Sequence, residues 1–397
     1  MSLREGSKLF RKPLAVSAVG LSKLSRLILA ALLAASVALA LLLFLRPSVE
    51  QVGYRYTFRL YVLNNGSSPM PLRGFECITV PPNSSRQRVW VVSARWWIGG
   101  SVSSSYELRG TEEGNVEVKL LGVPDLLTPS STFNVEVSIH IHLVSHDGVD
   151  LSLAPDVSPT PSSIPEELKR SFCSKTSLWD FENPILSQLL SNLNVEGHTT
   201  LSAALTFIEW IDQRIAYPQG REWGLVRYPN QTVVEELGDC DDRANLFIAL
   251  CRGVGIPCFL QYGMIYEPGA KPSSVSYLNG RYRHSMSQLS RHGWAVAYIP
   301  PWGWLPVDFT FFEGMTFRKD GGRLYIEASS PIDHIRGAAV NVRRVIVEGN
   351  VTSRDYMALN LKLLNLLEEH NAFLACEESL EPWLVPPYVS LKACLTR

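Results

Sequence analysis

The sequence predicts an α+β protein. An all-β sandwich domain is followed by a domain that mixes helices with antiparallel strands, and a single membrane-spanning helix precedes both. Three observations carry this. Residues 53–150 hold short apolar or alternating runs broken by Asn-Gly, Gly-Gly and Pro-Asn turns. Residues 166–335 change to helical periodicity and then return to strands. Ahead of both lies an apolar run with no charged residue.

That run is Leu27 to Leu45, LILAALLAASVALALLLFL. At about 1.5 Å per residue its length roughly equals the hydrocarbon thickness of a bilayer. Arg26 and Arg46 bracket it, and Arg4, Lys8, Arg11, Lys12 and Lys23 outnumber Glu5 before it. The positive-inside rule makes 1–26 a cytoplasmic basic segment and 27–45 an uncleaved signal anchor in the cell membrane. Everything after it then lies on the outer face. The competing reading is a cleaved signal peptide, since Ala38-Leu39-Ala40 has the small-x-small form, but Leu41 to Leu45 continue the apolar run past it. The sequons at Asn65, Asn83, Asn230 and Asn350 all fall on the outer side.

At 397 residues the chain is long enough for two or three domains. A net charge of −1 gives no basic face for nucleic acid. Seven cysteines leave at least one thiol free or paired to another chain. Cys376 and Cys394 are candidates for a disulfide that sequence alone cannot pair.

The β-sandwich domain spans 50–152, with strands in YRYTFRLYVL, RVWVVSARWW, NVEVKLLGV and FNVEVSIHIHLV. In the last of these His140 and His142 share one strand face, a spacing that can bind zinc. The plainer reading is that Val135, Val137, Ile139, Ile141 and Leu143 face inward and both histidines outward. LAPDVSPTPSSIP, 153–165, is a Pro/Ser linker. The catalytic domain, 166–335, has helical patterns in NPILSQLLSNL and TLSAALTFIEWIDQRIAY, a helix from Cys240, and strands at 256–266, 292–300 and 304–312. A C-terminal part, 336–397, adds a strand in AAVNVRRVIVEG and an amphipathic helix near 353–370.

The chemistry starts at Gly238-Asp239-Cys240-Asp241-Asp242. Asp239 is a good N-cap residue, Asp241 and Asp242 suit a first turn, and Gly253 or Gly255 suits the stop. A cysteine there is either a core thiol or a nucleophile beside outward-facing N–H groups. The aspartates oppose a thiolate, so activation needs a nearby imidazolium, giving a coupled thiolate–imidazolium pair. His292 opens a strand, Pro300-Pro301-Trp302-Gly303 makes a turn, and the return strand carries Asp308. His292 and Asp308 should therefore face each other across a hairpin, or miss by one diagonal. Cys251 and Cys258 fall on packed positions and read as structural.

These stretches, with Arg252-Gly253-Val254-Gly255-Ile256-Pro257, His292-Gly293-Trp294 and Gly303-Trp304-Leu305-Pro306-Val307-Asp308, resemble the transglutaminase-like superfamily. The resemblance covers roughly 165–335. It implies a papain-like α+β core and a catalytic triad of Cys240, His292 and Asp308. The β-domain is similar, more loosely, to sandwich modules that precede such cores in archaeal membrane-anchored members. Cys258-Phe259 stand where the family often has Ala-Arg, and Gly293 where it often has Ala. Trp223 is a candidate second oxyanion donor through its indole N–H, or else lines the core or cleft. The implied function is a thiol enzyme acting on amide bonds of peptides or proteins through an acyl-enzyme. Hydrolysis is favoured over acyl transfer to an amine, because no EF-hand-like calcium loop is visible and an enzyme in open solvent has water in excess. A non-catalytic cell-surface binding module is the third reading. No cofactor or metal is expected, and the expected partners are a peptide or protein substrate and the lipid bilayer.

Overall fold

The computed structural model describes residues 52–144, 150–151, 157–219, 226–341 and 344–383. The expected span 27–45 lies outside these residues, as do His146, Trp223 and Cys394. Among the described residues no helix is long and apolar enough to cross a membrane.

The first part of the chain is all strand: β1 (Val52–Leu63), β2 (Met70–Pro71), β3 (Cys77–Val80), β4 (Gln87–Ile98), β5 (Ser101–Ser103), β6 (Tyr106–Gly110), β7 (Val116–Leu120), β8 (Leu126–Leu127) and β9 (Thr132–Leu143). Helices follow: α1 (Glu166–Phe172), α2 (Pro184–Leu193), α3 (Thr200–Arg214), α4 (Pro229–Glu235) and α5 (Cys240–Gly253). Then come β10 (Cys258–Tyr266), β11 (Ser273–Tyr277), β12 (Tyr282–Ser287), β13 (Leu289–Ile299), β14 (Gly303–Val307), β15 (Thr316–Asp320), β16 (Arg323–Glu327), α6 (Asp333–Arg336), β17 (Val345–Val351), α7 (Tyr356–Glu369) and β18 (Phe373–Trp383). The mixture is α+β, as expected.

The period-two apolar pattern places β9 at the heart of the sandwich. Phe133, Val135, Val137, Ile139 and Ile141 are all buried. They share one core with Met70 and Leu72 and with Ile78, Val80, Val118 and Leu120 of the smaller β3–β7–β6 sheet. His140 stacks on Trp383 at 4.0 Å and accepts a hydrogen bond from Arg55. His142 is buried rather than outward-facing.

The large sheet runs β11-β12-β18-β1-β9-β4-β5, so it draws strands from all three expected sections of the chain. β18 pairs antiparallel with β1, from Gly53↔Trp383 to Leu63↔Phe373, and parallel with β12. A second sheet, β14-β13-β10-β17, carries the helical part. The inward faces of α2, α3 and α5 join β10, β13 and β14 in one apolar cluster that includes Leu186, Phe207, Phe247, Leu260, Ala295 and Val307. Buried polar bonds fasten the sandwich to β17. Gln87 donates to Val347 O and accepts from Val347 N (2.7 and 2.9 Å), and Asn115 does the same with Asn350 (2.8 and 2.7 Å). Where the linker is described it is packed down. Ser158 donates to Pro300 O (2.7 Å), at the turn between β13 and β14, and Thr200 donates to Pro159 O.

Candidate active site

Helix α5 begins at Cys240, capped by a box in which Asp242 accepts from the Asp239 N–H at 3.2 Å. Each of the three aspartates has a distinct place. Asp242 is buried and also takes the Arg227 N–H (2.6 Å) and guanidinium (3.1 Å). Asp241 accepts from Tyr356 Oη at 2.8 Å, and Tyr356 accepts from Asn245 of the same helix at 2.7 Å. Asp239 is the cap itself. Its carboxyl is pushed up to about 10 by burial and by repulsion from Asp241 and Asp242.

Gly238 and Gly293 allow this helix start to sit where it does. A Cβ at Gly238 would stand 2.8 Å from Asp242 Cβ, and one at Gly293 would stand 3.1 Å from Asp241 Cβ. Gly293, on β13, lies close enough for its N–H to favour the Cys240 thiolate, so the residue after His292 stands beside the helix start. The thiol is pushed well above its ordinary range by burial, then by Asp239 and Asp241, against the Gly293 N–H that favours the thiolate. A preformed thiolate–imidazolium pair, the sequence-based expectation, is therefore not what these surroundings favour. Burial first, and then the carboxylates of Asp239 and Asp241, outweigh the Gly293 N–H.

β13 pairs with β14 through Ala295↔Val307. Continued by one residue, that register sets Trp294 against Asp308 and leaves His292 one diagonal away. The reach is made by the side chains: His292 Nε2 lies 2.7 Å from Asp308 Oδ2, with both residues buried. The imidazole is boxed by Trp294 (ring centroids 5.5 Å) and Phe311 (6.2 Å). Asp308 Oδ1 accepts the N–H groups of Thr310 and Phe311 at 3.0 Å each. These bonds hold the carboxylate in place against His292 Nε2, and they leave Nδ1 as the ring nitrogen not engaged by Asp308.

Sequence reasoning did not single out Tyr217, Tyr277, Tyr356, Arg243 or His334. Burial and then Cys240 and Asp239 raise the Tyr217 phenol, and burial and then Asp239 and Asp241 raise that of Tyr277, so both hydroxyls lie within electrostatic reach of the helix start. Arg243 carried a readable signal, a charge directly ahead of the helix's apolar stretch from Leu246 to Cys251. Cys251 and Cys258 are fully buried, in line with structural roles. Among the described residues Asp239, Cys240 and Asp241 bring donor atoms within 4.8 Å of one another. Asp241 is already taken by Tyr356, and adjacent residues of one turn give an ion no enclosing cage.

Residues 188–309 match the family model described as the transglutaminase-like superfamily, and the match spans Cys240, His292 and Asp308. The chain thus carries a transglutaminase-like domain. No curated protein matches it. A solved structure described as a "Putative Cysteine Protease" from Cytophaga hutchinsonii is similar at 12% identity and TM-score 0.47, over 85% of this chain and 92% of the other. A "Putative Protease" from Parabacteroides distasonis is similar at 9% identity and TM-score 0.22, over 70% of this chain and 64% of the other. Red sea bream transglutaminase is similar at 11% identity and TM-score 0.25, over 57% and 46%.

Proposed function

We propose that the transglutaminase-like domain of this chain is a thiol hydrolase of peptide or protein amide bonds, with Cys240 as nucleophile, His292 as base and Asp308 as the group that orients it. A transglutaminase-like domain supports a cysteine hydrolase or acyltransferase. The observation that supports the residue roles most is the 2.7 Å bond from His292 Nε2 to Asp308, with the next residue, Gly293, packed against the Cys240 helix start at Asp241. A thiol kept neutral by its surroundings needs a base at the moment of attack. The Cys240 sulfur bonds to the amide carbonyl carbon as its proton passes to His292 Nδ1. His292 then gives that proton to the departing amine nitrogen as the C–N bond breaks, leaving a thioester. Water attacks the thioester, loses a proton to His292, and releases the carboxylate while the thiol recovers its proton. The Cys240 backbone N–H at the helix start is the proposed oxyanion donor, and Trp223 the proposed second one. The apolar run 27–45 supports placing the enzyme on the outer face of a membrane.

The test uses the full chain in detergent. A peptide-like thiol electrophile should label Cys240, and His292→Ala should slow that labelling at least tenfold. Labelled casein should be cut by the parent and left intact by Cys240→Ala. Capture of an added primary amine in place of water would favour acyl transfer. Labelling confined to other cysteines would end the nucleophile assignment and favour the binding-module reading.

A further inference from the structure

Asp308 is held through its main chain as firmly as through its carboxylate. Its N–H donates to His334 O at 3.0 Å, and its carbonyl oxygen accepts from His334 Nδ1 at 2.8 Å. His334 lies on α6, is fully buried, and packs its ring against Phe309 and Phe312 (centroids 5.4 and 4.3 Å). Its other nitrogen, Nε2, stands 3.3 Å from Asp212 Oδ1 of α3. The same oxygen accepts from Arg243 Nη2 at 3.2 Å. Arg243 is fully buried one helical turn after Cys240, and its Nη1 donates to Phe309 O at 2.7 Å.

A buried guanidinium and a buried imidazole are costly to keep, so their partners have to be fixed. Here they hold two successive peptide units. His334 takes the carbonyl of Asp308 and Arg243 takes the carbonyl of the next residue, Phe309. The N–H and carbonyl of Asp308, both bonded to His334, set the direction in which the Asp308 side chain leaves the backbone. Arg243 stands on the helix that begins with Cys240, so the cluster also ties that helix to the end of β14.

We infer that His334 is a positioning residue for Asp308, its ring packed on Phe309 and Phe312 with Asp212 3.3 Å from Nε2, so that the carboxylate stays on His292 Nε2. The inference rests on the triad reading above. Without the His334 N–H the carbonyl of Asp308 loses the side-chain donor that fixes it. The Thr310 and Phe311 N–H groups still anchor Oδ1, so the result is misalignment of the carboxylate rather than its loss.

The test reads the bond itself. In the full chain, labelled with nitrogen-15, the Nε2 proton of His292 bonded to a carboxylate gives a far-downfield proton resonance, identified by its absence in His292→Ala. His334→Leu should shift or broaden that resonance and slow Cys240 alkylation by iodoacetamide about tenfold. His334→Asn, whose side-chain N–H₂ reaches the same carbonyl as Nδ1, should restore both. Asp212→Asn leaves His334 in place and should move the resonance less, in the same direction, which keeps the test open if His334→Leu does not fold. An unmoved resonance in both His334→Leu and Asp212→Asn overturns the inference. Alkylation unaffected by His292→Ala overturns the triad reading instead.

Discussion

Asp239 caps the helix of Cys240 at a cost that varies with pH. Its carboxyl is raised from 3.8 to about 10, so ionising it in the folded state is unfavourable. The sign follows: the raised pKa contributes stability that is complete below about 3.8 and is lost as pH rises toward about 10. Asp239→Asn keeps a capping side chain and removes that ionisation. Its melting temperature should exceed the parent's by an amount that grows between pH 5 and pH 9; a difference constant with pH would show that the carboxyl is not the source. Gly293→Ala tests the other side of the same contact. A methyl 3.1 Å from Asp241 Cβ moves the helix start against β13 by a few tenths of an ångström. Turnover should fall by about tenfold, since catalysis is sensitive to small misplacements, while the melting temperature changes little. An unchanged rate would mean the helix start is freer than its contacts suggest. The helix start at Cys240 and the diagonal contact of His292 with Asp308 were legible in the sequence because each rests on a short local pattern, a capped helix start and a hairpin turn. His334 was not, because its partners Asp308, Asp212 and Phe312 are brought together only by the fold.

At the scale of elements, helix α5 follows its sequence pattern closely; the hairpin keeps its turn, but β13 begins at Leu289, ahead of His292, and β14 ends at Val307, short of Asp308 and of the expected 312; β18 follows no pattern. Phe373 to Trp383 carries Glu377, Glu378 and Glu381, poor strand residues with no clean alternation. What makes it a strand is tertiary. Glu378 is buried and ion-paired with Arg291, the residue before His292, and Arg291 also pairs with buried Glu348. Arg291 holds Glu378 down to about 2 against the burial that would raise it. Its stability contribution is present above about 4.5 and is lost as pH falls toward about 2. Arg291→Met leaves two buried carboxylates without their cation and should cost about 3–5 kcal/mol, read from the urea midpoint at pH 7. Acidification to pH 4 should narrow the gap between variant and parent. A gap that widened on acidification would mean that the two glutamates are not the buried charges of this cluster. The expected division at 153–165 was equally local. It caught the change from strand to helix periodicity but could not see β12 and β18 returning to the sandwich.

For the whole molecule, the large sheet leaves no simple cut. β18 is hydrogen-bonded to β1 on one side and to β12 on the other. Deleting residues 371–397 should abolish cooperative unfolding rather than lower its midpoint slightly, because it removes an interior strand and bares two edges. Fragments 50–152 and 166–335, produced separately, should each fail to give a sharp thermal transition. A sharp melt from 50–152 alone would show that the sandwich is self-sufficient and β18 an accessory.

The pairing of Gly53 with Trp383 also bears on the history of each molecule. As the polypeptide is made, β1 finds β9 early, but its opposite edge has no native neighbour until nearly all of the described chain exists. Through that interval a long, Tyr- and Val-rich edge is open to pairing with another nascent copy. The contact that closes it is among the most distant in sequence, so it forms slowly. Newly made chains therefore depend on holding factors during that wait, and a ribosome that stalls before residue 373 releases a product with its sticky edge still bare.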